Sequence, residues 1–145
     1  MNQYLIDHPE YSVIVGTDNC VDQSKILESE TYRAISCNQK TIYSYVSVRQ
    51  LCDVISKVDV VITPKLHVGI VASTFEKSVI SFAIHREKTQ RYYKQIGEEG
   101  RSIKLSDVDE NVALEQIKKY FDKPIHIPDD LIQNAKSNIK VLETI

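Results

Sequence analysis

Short runs of β-branched and aromatic residues alternate along this chain with segments whose apolar residues recur at helical spacing. That alternation constrains the fold more than any other feature, because the two periods cannot share one kind of element. Tyr11 to Val15, Thr41 to Val46, Val58 to Thr63, Val79 to Ile84 and Arg101 to Leu105 read as strands. Val21 to Ile35 reads as one helix. Ser47 and Gln50 form a capping box ahead of a stripe of Leu51, Val54, Ile55 and Val58. Leu66 to Phe75 has little polar surface and reads as an interior helix. Glu87 to Ile96 ends at Gly97, a residue suited to a left-handed cap. Ser106 and Asp109 make a second capping box before Leu114, Ile117 and Phe121, and Pro128 opens a last helix with Leu131, Ala135 and Leu142 as buried positions.

Strand and helix in alternation, with short joints, predict an α/β fold: a Rossmann-like three-layer α/β/α arrangement with a mainly parallel sheet of about five strands. The length, 145 residues, suits a single domain over 1–145. The net charge of −2 argues against a nucleic-acid partner held by bulk positive charge. Four glycines, at 16, 69, 97 and 100, leave no Walker loop and no three-glycine dinucleotide fingerprint. No apolar run approaches the roughly 20 residues of a membrane helix, and the first nine residues hold no basic residue, so neither a transmembrane segment nor a signal peptide is expected. Cysteines at 20, 37 and 52 include no Cys-x-x-Cys pair, which reads as idle thiols in a reducing cytoplasm rather than a metal knuckle. No metal and no cofactor is expected.

In parallel sheets ligands bind at the carboxyl ends of the strands, beside helix N-termini. That rule selects four joints: Gly16 to Asn19 with Asp18, then Ser47, then Pro64 to His67, then His85, Arg86 and Lys88. The third is the most informative. Pro64 fixes the start of a helix, and Lys65, Leu66 and His67 follow at its first turn. A helix N-terminus attracts anions, and a lysine there is electrostatically unfavourable without one. A phosphate or carboxylate site follows, with His67 as candidate acid or base. The plainer alternative makes Lys65 a solvated cation and His67 a hydrogen-bonded, half-buried side chain. The plainer reading of His85, Arg86 and Lys88 is a solvated turn, and that of Asp18 is a turn former. Tyr92 and Tyr93 read as helix packing rather than a stacking platform.

The stretch from Leu51 to Leu105 then acquires a likeness. Leu-Cys-Asp-Val-Ile-Ser-Lys-Val-Asp-Val-Val-Ile-Thr-Pro-Lys-Leu-His-Val-Gly, followed by Val-Ile-Ser-Phe-Ala-Ile, Lys88 and Gly97, resembles the polysaccharide pyruvyl transferase family. That resemblance implies a GT-B-like C-terminal lobe. It also implies transfer of a pyruvyl group from phosphoenolpyruvate to a sugar or lipid-linked oligosaccharide acceptor, in cell-surface or exopolysaccharide biosynthesis. Lys65 stands where the family's Arg-Leu-His signature has arginine, Leu66 and His67 match its other two residues, and Lys88 matches the later lysine.

Three departures qualify the likeness. Lysine at 65 lacks the planar two-pronged contact of arginine. Glu76, Lys77 and Ser78 stand where the family has a glycine and a proline. The chain covers only the C-terminal half of a family member, which implies weak or no catalysis without an N-terminal half. A separate chain supplying that half, or a homodimer formed through an exposed sheet edge, are the expected partners. Two readings compete: a nucleotide-sugar-binding half of a GT-B glycosyltransferase, and a non-catalytic dimerising interaction module.

Overall fold

The computed structural model describes residues 1–17, 22–37 and 39–142, with side chains described to residue 137. Asp18, Asn19 and the Leu142 side chain lie outside that set. The chain divides into two compact units, Met1–Lys57 and Val58–Ile145. Both are α/β with parallel strands. The strands expected from the sequence are found, distributed as a two-stranded and a three-stranded parallel sheet. Among the described residues no helix is long and apolar enough to cross a membrane.

In the first unit, α1 (Asn2–Asp7), β1 (Val13–Gly16), α2 (Gln23–Glu28), α3 (Glu30–Ala34), β2 (Lys40–Tyr43) and α4 (Val48–Lys57) follow in order. Strands β1 and β2 pair in parallel, Val13 opposite Lys40 and Gly16 opposite Tyr43. Val15, Ile26 and Ile35 form its buried cluster, with Leu5, Val13, Tyr32, Cys37 and Ile42 packed around them. Helix α1 is an addition to the elements expected. The single helix expected over Val21 to Ile35 is instead two. Ser29 closes α2 by donating its amide and hydroxyl to the Ile26 carbonyl, at 3.1 and 2.6 Å, and its Oγ then accepts the Tyr32 amide at 3.2 Å to cap α3. One serine serves both ends because its side chain competes with the helical backbone pattern. Lys40 Nζ finishes α3 by donating to the carbonyls of Tyr32 and Ile35, each at 2.7 Å. A cation at a helix C-terminus is favoured by the dipole. At α4 one half of the expected box is formed: the Gln50 amide donates to Ser47 Oγ at 3.2 Å.

The second unit runs β3 (Val60–Thr63), α5 (Leu66–Thr74), β4 (Ser78–Ala83), α6 (Arg86–Gln95), β5 (Ser102–Lys104), α7 (Glu110–Tyr120) and α8 (Asp129–Leu142). The sheet order is β3-β4-β5, all parallel, with Thr63 opposite Ser81 and Ser81 opposite Ser102. Central β4 is buried along nearly its whole length. Around it lie Ala72, Tyr93, Ile96, Ile117, Tyr120 and Ile125, all buried. Arg101 is also buried, at 2% exposure. Its Nε donates to Glu98 Oε2 at 2.6 Å, a terminal nitrogen donates to the Val79 carbonyl at 3.3 Å, and the guanidinium lies 4.8 Å from the centre of the Tyr120 ring. A buried charge is tolerable only with such a set of partners. The α7 cap is Asp109, whose Oδ1 accepts the Val112 amide at 2.8 Å, while Ser106 turns to Asp107 instead of forming the expected box. On α8, Leu131 is half-buried and Ala135 is exposed, so the expected stripe is only partly covered.

Helices α5 and α6 end in the same hydrogen-bond pattern with different residues at its critical position. After α6, Gly97 donates its amide to Lys94 and Glu98 donates to Tyr93, with Gly97 at φ +77. After α5, Glu76 donates to Ser73 and Lys77 to Ala72, with Glu76 at φ +53. Both are Schellman closures, which favour glycine at the left-handed residue. At 76 the chain uses a glutamate that is strained by its Cβ. Replacing Glu76 by Gly therefore raises the stability of this unit by about 0.5–1 kcal/mol, read as a higher midpoint in chemical unfolding. The 3.6 Å contact of Glu76 with His126 that is lost joins two well-exposed groups and contributes little.

Candidate functional site

Because β3, β4 and β5 are parallel, the joints after them open on one edge of their sheet. That edge carries Lys65, Leu66 and His67 after β3, His85, Arg86 and Lys88 after β4, and Lys104 at the end of β5. Two of the four joints selected from the sequence are thereby on a common rim. The other two follow β1 and β2, which are parallel to each other in the first unit.

The turn from β3 into α5 is built locally. Thr63 is buried at 5% exposure, and its Oγ1 accepts the Lys65 amide at 3.0 Å, folding the chain around Pro64. Lys65 is the N-cap with extended backbone, φ −99 and ψ 122, and its side chain makes no cap hydrogen bond. Leu66 and His67 are the first two helical residues, and the first turn holds no acid. His67 is exposed, while Lys65 and Leu66 are half-buried. The turn from β4 into α6 repeats the scheme. His85 is the N-cap without a side-chain cap, Arg86 opens the helix, and Lys88 lies one turn in beside Glu87. His85, Arg86 and Lys88 are exposed, and the Thr89 hydroxyl donates back to the His85 carbonyl at 3.0 Å. Two helix N-termini, each with imidazole and cation at hand, form an edge suited to an oxyanion such as phosphate or carboxylate.

Beneath this edge runs a row of hydroxyls. Thr63, Ser81 and Ser102 are cross-strand neighbours in register, so their side chains share one face of the sheet. All are buried, at 5%, 1% and 5% exposure. Tyr93 from α6 is fully buried, and its phenol, with the hydroxyls of Ser81 and Ser102, makes no hydrogen bond within the protein. The Ser81 hydroxyl lies close enough to act on the Tyr93 phenol as a hydrogen-bond partner, lowering it against the burial, though the contact falls outside strict hydrogen-bonding geometry. Tyr92 meets Tyr93 edge-on, with ring centres 5.1 Å apart, the packing expected of this pair. Sequence patterning misses Ser81, Ser102 and Arg101, because their types are ordinary and only strand register and burial single them out. Asp18 lies outside the described residues. Among those residues no three His, Cys, Asp or Glu side chains gather as a metal-holding group.

Compared with protein-family models, with curated proteins and with solved structures, the chain matches none.

Burial pushes the Tyr93 phenol well above its ordinary value of 10, with the Tyr92 phenol adding to the rise and Arg101 opposing it. Burial raises Tyr92 as well. In the unfolded chain both ionise near pH 10. Folding stability is thus unaffected by these groups below that pH and falls as the pH climbs above it, because the unfolded state then holds fewer protons. Following phenolate absorbance across an alkaline titration should show Tyr92 and Tyr93 ionising above the ordinary phenol value. Tyr93→Phe should move the alkaline limit of the fold upward.

Proposed function

We propose that this chain is the donor-side half of a polysaccharide pyruvyl transferase-like protein. On this reading it acts in cell-surface or exopolysaccharide biosynthesis, in the cytoplasm, transferring pyruvate from phosphoenolpyruvate to a sugar. The observation that carries the reading is the shared rim. Lys65 and His67 at one helix start, and His85, Arg86 and Lys88 at the next, follow neighbouring parallel strands. Phosphoenolpyruvate carries two anionic groups, a carboxylate and a phosphate, and two adjacent helix N-termini suit them. The positive φ at Glu76 adds support, since the likeness drawn from the sequence has a glycine between this helix and strand.

The chemistry asks little covalent work of the protein. A proton added to the donor's methylene carbon makes the neighbouring carbon electrophilic. One acceptor hydroxyl adds to that carbon, the C–O bond to phosphate breaks, and a second hydroxyl closes the ketal. Of the two hydroxyl protons released, one replaces the proton spent and the other leaves with phosphate. His67 is the group assigned to move that proton. Lys65 and Lys88 hold the anionic groups while charge redistributes. The acceptor side, and with it full activity, belongs to an N-terminal half. A single sheet of about five strands, in the manner of a GT-B C-terminal lobe, is part of the same proposal.

Thermal shift discriminates the readings. Phosphoenolpyruvate should raise the unfolding midpoint while a uridine diphosphate sugar does not. Lys65→Ala should weaken phosphoenolpyruvate binding about tenfold or more, the loss of one charge-assisted contact, and His67→Ala should abolish proton transfer with a smaller effect on binding. Stabilisation by the nucleotide sugar alone would point to a glycosyltransferase half. No response to either ligand, with self-association through a sheet edge, would point to an interaction module.

A further inference from the structure

We infer that Tyr93 is a positioning residue for the rim, acting through Gly69 on the first turn of α5; this rests on the proposed phosphoenolpyruvate reading for its ligand but not for its geometry. Tyr93 belongs to α6, the helix whose start carries His85, Arg86 and Lys88. Gly69 belongs to α5, whose start carries Lys65 and His67. A Cβ added at Gly69 would fall on the Tyr93 hydroxyl oxygen. Its next neighbours, Tyr93 Cζ at 3.6 Å and Val79 Cγ1 at 3.7 Å, are at ordinary contact distance. The hydroxyl alone therefore fills the place that a side chain at 69 would occupy.

That hydroxyl sits at a sensitive point. The Gly69 amide donates to the Lys65 carbonyl at 3.2 Å, closing the turn in which His67 stands. Through this contact α6 sets how closely the start of α5 approaches it, and so the separation of the two helix N-termini. The buried Tyr93 hydroxyl has given up contact with solvent, and among the described residues only the Ser81 hydroxyl lies near it as a partner, outside good hydrogen-bonding geometry. Phenylalanine would fill the same space on α6 without that loss. Stability therefore does not account for the oxygen, whereas contact with Gly69 does.

The test uses the whole chain and three variants: Tyr93→Phe, Gly69→Ala and the double replacement. Tyr93→Phe should leave the thermal midpoint unchanged or higher, yet speed hydrogen exchange at the Gly69 amide by about tenfold through local opening. Gly69→Ala should shift the imidazole resonances of His67 and His85. The double variant should return them towards wild type, because a methyl group at position 69 fits once the oxygen is gone. If Gly69→Ala does not fold, recovery of folding in the double variant reports the same contact, and the exchange rate in Tyr93→Phe still decides its positioning role. Unchanged exchange at Gly69 in Tyr93→Phe, or failure of the double variant to recover, would overturn the inference. Phosphoenolpyruvate affinity is measured in parallel. Weaker binding in Lys65→Ala but not in Tyr93→Phe removes Tyr93 from the rim, and no binding by the wild-type chain removes the functional reading while exchange at Gly69 still decides this one.

Discussion

The parallel pairing of β3, β4 and β5 is the constraint on which the second unit depends. Parallel neighbours cannot be joined by a tight hairpin, so each connection must cross back over the sheet as a helix. Every strand then delivers its following loop to one edge, and every following helix starts there. The cations of this chain become a group only through that rule. Lys65 and Lys88 are separated by a helix and a strand in sequence, yet their joints follow strands whose residues pair directly.

Central β4 makes the arrangement stiff. It is covered by α5 and α7 and flanked by both neighbouring strands. Its Val79 carbonyl also receives the Arg101 guanidinium. Arg101 is available for this because the turn after α6 puts Glu98 beside it. Gly97 takes the left-handed conformation, Glu98 returns its amide to Tyr93, and the Glu98 carboxylate meets Arg101 Nε. A helix terminus, the Arg101–Glu98 ion pair with its buried arginine, and the central strand are thereby one connected structure. The same connection leads through Tyr93 to Gly69 and the start of α5.

Much of this architecture could be read along the chain. Strands β1 to β4 carry β-branched residues between turn residues, so period and composition agree there, whereas β5 holds only Ile103. Gly97, Ser47 and the Tyr92–Tyr93 pair play the parts their types suggest. The break between α2 and α3 is not legible, since Ile26, Leu27, Ala34 and Ile35 keep an apolar pattern across it and a serine is compatible with either outcome. Helix α1 is short and has no buried residue, which leaves it without a periodic signal. The rim joints were legible because chemistry-bearing types gather next to Pro64 and after a strand. The layer below them was not. Thr63, Ser81 and Ser102 acquire meaning from cross-strand register, and Gly69 from a side chain on another helix.

The rim has to work at contact distance. The chain as a whole carries a charge of −2, so no long-range field draws anions towards this edge. Arg101 adds little, because Glu98 neutralises it at 2.6 Å. The exposed cations on the rim are screened beyond roughly 10 Å in ordinary salt. What remains is short-ranged: the dipoles of two helix starts, a lysine at one of them, and imidazoles that donate when oriented. Short-ranged groups discriminate by spacing. On the proposed reading, a ligand with two anionic ends at the right separation would engage both helix starts, and one with a single end only one. On the proposed inference, that separation depends on the place where Gly69 of α5 meets the Tyr93 hydroxyl of α6. On that reading, selectivity would reside as much in a buried glycine and tyrosine as in the charged residues of the rim.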